Sequence, residues 1–193
     1  MSGCESRGTR QLVKSISSLV RADPIGWTID LLPGVCGFIN MSQMQPIQIP
    51  SGGGKKVNIL GIPMVIRIHG RDTGGVVSAV ESHDVPGGGP PPHIHHREDE
   101  TFQVLEGEYE FTVDGKSFVA SKGTTVFAPR GISHTYRYLG QTPGRLMCVI
   151  TPAGFEGFFE AIGALTQEQQ QDIPRVMTIA KGFGMEILPP PQA

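Results

Sequence analysis

The sequence predicts an all-β domain, a sandwich or barrel that closes its own edges, followed by a short helical tail. Three observations carry this. The 193 residues include 26 glycines and 16 prolines, which fall between short apolar runs; that is the composition of many short strands joined by tight turns. From Pro46 to Thr151 apolar and polar residues alternate at a period of two, the period of a strand with one buried face. After Pro152 the period lengthens to that of a helix. A chain of this length fills one core of roughly 100–150 residues and leaves little for a second. One barrel is therefore expected over residues 44–152, with 153–193 packing on it as helices and tail, and 1–43 as a poorly ordered extension.

The elements follow in order. In the extension, Leu12, Ile16, Leu19 and Val20 recur at helical spacing, so residues 11–21 are expected to form one weakly amphipathic helix before Pro24. Strand candidates then come as Ile47 with Ile49, Val57 with Ile59, the run 65–68 and the run 76–81, separated by SGGGKK, RDTGG and similar turn-formers. A second group covers 101–106, 109–113, 116–120, 124–128, 134–139 and 145–151. Asp114-Gly115 between two of these is a two-residue hairpin turn, since both residues accept the positive φ that such a turn demands. Short antiparallel strands spaced roughly 8–12 residues apart point to a closed sandwich or barrel, the jelly roll being one solution. In the tail, Phe155, Phe158, Phe159 and Ile162 mark one face of a helix ending near Gly163. Thr166 with Gln169 forms a capping box that starts a second helix, residues 173–181 form a third before Gly182, and 185–188 form a last short strand.

Charge and composition exclude several classes of function. Sixteen Lys and Arg against 18 Asp and Glu give a net charge of −2 with no basic block, so nucleic acid is not an expected partner. Cys4, Cys36 and Cys148 are odd in number and have no CxxC spacing, which fits a reducing compartment and no disulfide framework. No run reaches the ~18 apolar residues of a membrane span, and the first thirty residues lack the apolar centre of an export signal. No membrane partner and a cytoplasmic location are expected. Arg7, Arg10, Lys14, Arg21 and the serines suggest an organelle transit peptide, but Glu5 and Asp23 argue against it.

The chemistry lies in GGGPPPHIHHREDETFQVLEG, residues 87–107. His93 and His95 stand two apart on an extended segment, so both imidazoles point to one face and can converge on one ion. The three prolines before them fix φ and stiffen the approach. After a polar turn, Glu100 re-enters an apolar strand and can add an anionic oxygen, with Glu98 and Asp99 as rival donors. A third imidazole, His134, opens the strand after the turn Pro129-Arg130-Gly131 and can close the site. His96 follows a ligand and points to the opposite face. His69 and His83 read as satisfied structural histidines, with His83 able to face the cavity as an acid or base. Cys148 reads as a small core residue. Phe102, Val104, Phe111, Phe127, Tyr136 and Met147 are candidates for an apolar lining, and Tyr136 and Tyr138 share the strand face of His134, which makes them candidates to touch a substrate.

His93-x-His95-x4-Glu100-x6-Gly107 and Gly123-x5-Pro129-x-Gly131-x2-His134 resemble the two sequence motifs of the cupin superfamily, in order. The resemblance covers about residues 46–190, and PAGFEGFFEAIG resembles the segment after the barrel in small proteins labelled quercetin-dioxygenase-like. It implies a single jelly-roll (double-stranded β-helix) barrel. It also implies that His93, His95, Glu100 and His134 bind one divalent transition metal per chain, Fe, Mn, Ni, Co, Cu or Zn, with Glu100 preferred to Glu98. The second motif usually ends in Asn four residues past its histidine; Tyr138 stands there, a departure that bears on the pocket wall. The function implied is metal-dependent dioxygenation of a small aromatic or enolisable compound, with Glu100 as the nearby base. The alternatives are redox-neutral isomerisation or decarboxylation, and non-catalytic binding of a metal or small molecule. Cupins commonly pair through strands at one edge, so a homodimer is expected, using the strands of residues 47–68.

Overall fold

The computed structural model of the chain describes residues 20–23, 26–29 and 44–189. In the N-terminal unit, Val20–Asp23 (β1) and Gly26–Ile29 (β2) pair antiparallel, with Val20 opposite Ile29. Val20 and Arg21, expected at the end of a helix, are thus strand. Pro24 biases the residue before it toward extended backbone. The remainder of that expected helix, and most of the expected extension, lie outside the described residues.

The second unit carries the barrel. Its strands are β3 (Lys55–Ile59), β4 (Ile62–Ile68), β5 (Ser78–Asp84), β6 (His93–His95), β7 (Asp99–Glu106), β8 (Glu108–Val113), β9 (Lys116–Ser121), β10 (Thr125–Ala128), β11 (His134–Tyr138), β12 (Gly144–Thr151) and β13 (Met185–Ile187). They form two antiparallel sheets, ordered β10-β7-β12-β5-β4-β3 and β13-β6-β11-β8-β9. The fold is the predicted jelly roll. Alternation decides which residues fill it: along β7, Glu100, Phe102 and Val104 are buried, and along β12, Leu146, Cys148 and Ile150. Each large apolar side chain so buried contributes about 1.5–3 kcal/mol of transfer free energy, and together with Ile66, Val80 and Phe111 they make one continuous core.

Two local findings bear on the sequence reading. Ile47 and Ile49 form no strand, and Ile47 is exposed. Pro46 and Pro50 bracket this pair and carry no amide to donate to a ladder. Asp114 and Gly115 do form the expected turn, at φ +52° and +70°, joining Val113 to Lys116. A second such turn, Leu60-Gly61 at φ +52° and +90°, joins β3 to β4. A bulky leucine at positive φ is a backbone outlier.

The tail folds into α1 (Glu156–Gly163), α2 (Gln167–Gln171) and α3 (Ile173–Gly182). Thr166 Oγ1 accepts from Gln169 N at 3.2 Å, and Gln169 Oε1 accepts from Thr166 N at 3.0 Å, the reciprocal pair of a capping box. Gln170, buried, fastens the helices to the barrel: its Oε1 accepts from Leu60 N at 2.7 Å, and its Nε2 donates to Asn58 O and Ile162 O. β13 then pairs with β6, placing Met185 opposite His95. Among the described residues no helix is long and apolar enough to cross a membrane.

Candidate metal centre

Strand register brings the three histidines together. β6 buries His93 and His95 on one face and leaves Ile94 between them, and β11 starts with His134 directly opposite His93. Glu100 reaches the same point from β7 in the facing sheet. Two contacts hold the loop ahead of His134: Gly131 N donates to His95 O at 2.7 Å, and Arg130 donates through Nε and Nη2 to both oxygens of Asp99, at 3.0 and 2.8 Å.

The four side chains are all buried, and each offers a ligand atom within 4.8 Å of the others. His134 Nε2 lies 2.7 Å and His95 Nε2 3.3 Å from Glu100 Oε2. The outer nitrogens are also placed: His93 Nδ1 is 2.8 Å from Pro91 O, and His134 Nδ1 is 3.1 Å from Ile132 O. A carbonyl only accepts, so each Nδ1 carries a proton and each Nε2 is directed at the centre. Burial would raise the Glu100 carboxyl, but the hydrogen bond from His134 and the charges of His95, His134 and His93 outweigh it and hold the group at about 2. Burial, followed by the charge of His134, lowers His93 to about 4. Burial also opposes charge on His134, yet its bond to Glu100 raises it.

These residues fit a divalent transition metal. Three imidazoles that are neutral when ligating and one carboxylate are a suitable donor set. Two further buried atoms, His95 Nδ1 and Glu98 Oε2, have no hydrogen-bond partner and lie 3.7 Å apart. A carboxylate behind a ligating imidazole is the usual way to fix the ring and raise its basicity. Glu98 therefore stands behind His95, and Asp99 turns outward to Arg130, which leaves Glu100 as the carboxylate in the cluster.

A cavity of about 420 Å³ opens from this centre. Phe102, Val80, Leu146, Met64 and Phe158 supply apolar wall, and Phe155 sets its ring edge-on to His95 with centroids 4.2 Å apart. Leu60, Val85, Ile173 and Met177 stand exposed at the mouth.

Of the expected lining, Phe102 and Tyr136 face the cavity. The expectation is corrected at five positions. Val104 is buried in the core and does not line the cavity. Phe127 is 58% exposed, because β10 turns Val126 and Ala128 inward and Phe127 out. Met147 likewise sits on the outer face of β12, between Leu146 and Cys148. Phe111 is buried behind the wall, 5.3 Å from the Phe102 ring. Tyr138 shares the face of His134 but lies two residues beyond Tyr136, and closes the end of the barrel instead. A Cβ on Gly107, Gly140 or Gly144 would collide with its ring, and its hydroxyl donates to Thr142 O at 2.6 Å. The residue that departs from the motif thus fills a cradle of three glycines and leaves the cavity wall alone. His83 faces away from the cavity, 3.3 Å from Glu81, His96 pairs with Glu186 on the surface, and His69 lies 3.6 Å from Glu160. Cys148 lines the cavity, and its thiol, pushed up by burial and by Glu100, donates to Glu100 Oε1 at 3.2 Å.

The barrel resembles solved structures. KdgF from Halomonas sp. matches with a TM-score of 0.53 at 20% identity, over 58% of this chain and 99% of that one. An RmlC-like cupin from Shewanella frigidimarina matches with a TM-score of 0.50 at 22% identity, over 60% and 99%. The family profile described as Cupin domain matches residues 80–150. Residues 80–150 of this chain thus match a cupin domain. An uncharacterised protein of Methanocaldococcus jannaschii is 30% identical over 60 residues, which are 31% of this chain and 48% of that protein. Quercetin 2,3-dioxygenase of Bacillus subtilis is 28% identical over 103 residues, 53% of this chain and 31% of that protein. The match therefore spans about half of one curated relative and about a third of the other.

Proposed function

We propose that this cupin is a metal-dependent dioxygenase acting on a small aromatic or enolisable compound. The observation that carries the reading is the placement of four buried donors at one end of an apolar cavity of about 420 Å³, a size suited to a small organic ligand. Similarity to the protein named quercetin 2,3-dioxygenase points the same way.

His93, His95, Glu100 and His134 would hold the ion. When bound, it supplies Lewis acidity and a redox link between an enolate or enediol and O₂. The residues of the chain do the rest. Glu100 Oε2 is engaged by His134 and His95, while Oε1 meets only the weak thiol donor of Cys148. Oε1 is therefore the oxygen that takes the proton from a substrate hydroxyl. Phe102, Phe155 and Phe158 exclude water and present apolar faces to a ring. Both atoms of O₂ enter the product, so the organic substrate supplies all the electrons and no further reductant is needed.

The test is elemental analysis of untagged protein, then O₂ uptake with flavonol and catechol substrates after reloading with Fe, Mn, Ni or Co. About one ion per chain, with uptake, supports the reading. Bound ion without uptake would overturn it in favour of redox-neutral isomerase, decarboxylase or binding chemistry, and no retained ion would overturn the centre itself.

We further propose a homodimer in which β3, one of the two edge strands of the six-stranded sheet, adds to the same strand of a second copy. Sedimentation showing monomer alone at micromolar concentration would exclude it.

A further inference from the structure

The cavity contains a second polar group besides the four clustered side chains. Ser82 and Tyr136 line it, and behind them lies Asp84, with none of its surface exposed. Ser82 Oγ donates to Asp84 Oδ2 at 2.7 Å, Tyr109 Oη donates to the same oxygen at 2.9 Å, and Tyr136 Oη reaches Oδ1 at 3.5 Å. No Lys or Arg among the described residues pairs with Asp84; its three hydrogen-bond partners are hydroxyls, and the charge of His83 also acts on it. Burial raises its carboxyl against the lowering effect of these three hydrogen bonds.

The direction of these bonds fixes what the group can recognise. A hydroxyl has one proton and two lone pairs. Ser82 gives its proton to Asp84, so what it offers the cavity is an acceptor. Tyr136, turned toward the same carboxylate, likewise leaves an oxygen lone pair for a ligand. The partner that satisfies them is a hydrogen-bond donor. Register places Ser82 away from the metal end: it is opposite Leu146, and Leu146 is opposite Val104, four residues along β7 from Glu100 or roughly 13 Å of strand rise, while Tyr136, two residues along β11 from His134, reaches toward it from the cluster side. Apolar Val80, Phe102 and Leu146 lie between.

We propose that Ser82 and Tyr136, backed by Asp84, form a second anchor that accepts a hydrogen bond from a hydroxyl on the substrate. The substrate class that follows is an apolar, ring-sized body with its metal-binding oxygen at one end and a free hydroxyl at the other. The inference rests on the reading of this cavity as the substrate site, and it deepens that reading. Ser82 and Tyr136 act here as specificity-determining residues.

The experiment compares phenol with anisole, its methyl ether, as probes of the full-length, zinc-loaded protein by ligand-observed NMR, in the wild type, Ser82→Ala and Tyr136→Phe. One hydrogen bond of ordinary strength predicts that the wild type binds phenol about fivefold more tightly than anisole, and that the ratio falls toward one in both variants. Equal binding of the two probes by the wild type, a ratio unchanged in both variants, or no binding of phenol at millimolar concentration would each overturn the anchor. Circular dichroism of both variants separates loss of the fold from loss of the ratio, and Tyr136→Phe removes a single oxygen. The comparison requires neither O₂ nor turnover, so a failure of the dioxygenase reading is seen separately.

Discussion

The metal end of the cavity and its mouth are built by different means. At the metal end each donor rides on a strand whose backbone is paired on the ladder: His93 faces His134 in register, and Glu100 lies on β7 between β10 and β12. A layer behind the ligands holds them further, through the Asp99–Arg130 fork and the hydrogen bond from Gly131 to His95. At the mouth, Leu60 sits on a turn, Val85 between strands, and Ile173 and Met177 on α3, all of them exposed. One side chain, Gln170, joins the Leu60 turn to the helices. Ladder bonding fixes the positions of the four clustered side chains, and side-chain packing shapes the entrance to them.

That contrast can be broken most sharply at the ligands. His93→Ala or His134→Ala should weaken metal retention by more than about 100-fold and leave the far-ultraviolet circular dichroism unchanged, because the core is apolar and separate. Retention of one ion per chain by both variants would remove the proposed centre. The layer behind comes next: Glu98→Gln takes away the carboxylate behind His95 and should cost about 10–100-fold in metal affinity, measured by competition with a chelator. An unchanged affinity would make Glu98 a bystander.

At the mouth the expected sign is opposite. Leu60→Asn relieves about 1 kcal/mol of left-handed backbone strain against a smaller loss of burial, since half of Leu60 is exposed. Chemical denaturation should show a small gain in stability, with weaker binding of apolar probes. A clear loss of stability would show that the turn carries no strain. The smallest effect concerns Asp99, which the hydrogen bonds of Arg130 hold at about 2, below the usual carboxylate range. A carboxyl lowered by folding stabilises the native state above its ordinary pKa, and this contribution disappears as pH falls through the folded value. Asp99→Asn should lower Tm by about 1–3 °C at pH 6, with the gap closing as pH approaches 2; a gap independent of pH would exclude the ion pair as its source.

Much of this was legible from residue order. His93 and His95 share a face because strand side chains alternate, and the Pro129-Arg130-Gly131 turn marks where His134 begins the next strand. Thr166 with Gln169 and Asp114 with Gly115 are local devices, complete within four residues, and both form as their chemistry demands. Phe127 and Met147 mark where the reading failed. Both are apolar, and both stand at the outward parity of their strands, which hydrophobicity alone does not reveal. Ile47 and Ile49 alternate correctly but lie between prolines that deny them a ladder.

Order along the chain by itself determined the strand-rich class, the turns, the helical tail and the four residues of the buried His/Glu cluster, because each rests on the spacing of residues within short segments. Tertiary structure alone decided that Glu98 stands behind His95, that Tyr138 fills a glycine cradle instead of the cavity wall, that Leu60 meets Ile173 and Met177 at one mouth, and that Asp84 holds Ser82 and Tyr136. Those relations join residues tens to more than a hundred positions apart or depend on which way a side chain turns, and only the pairing of strands and the packing of side chains in the folded chain settle them.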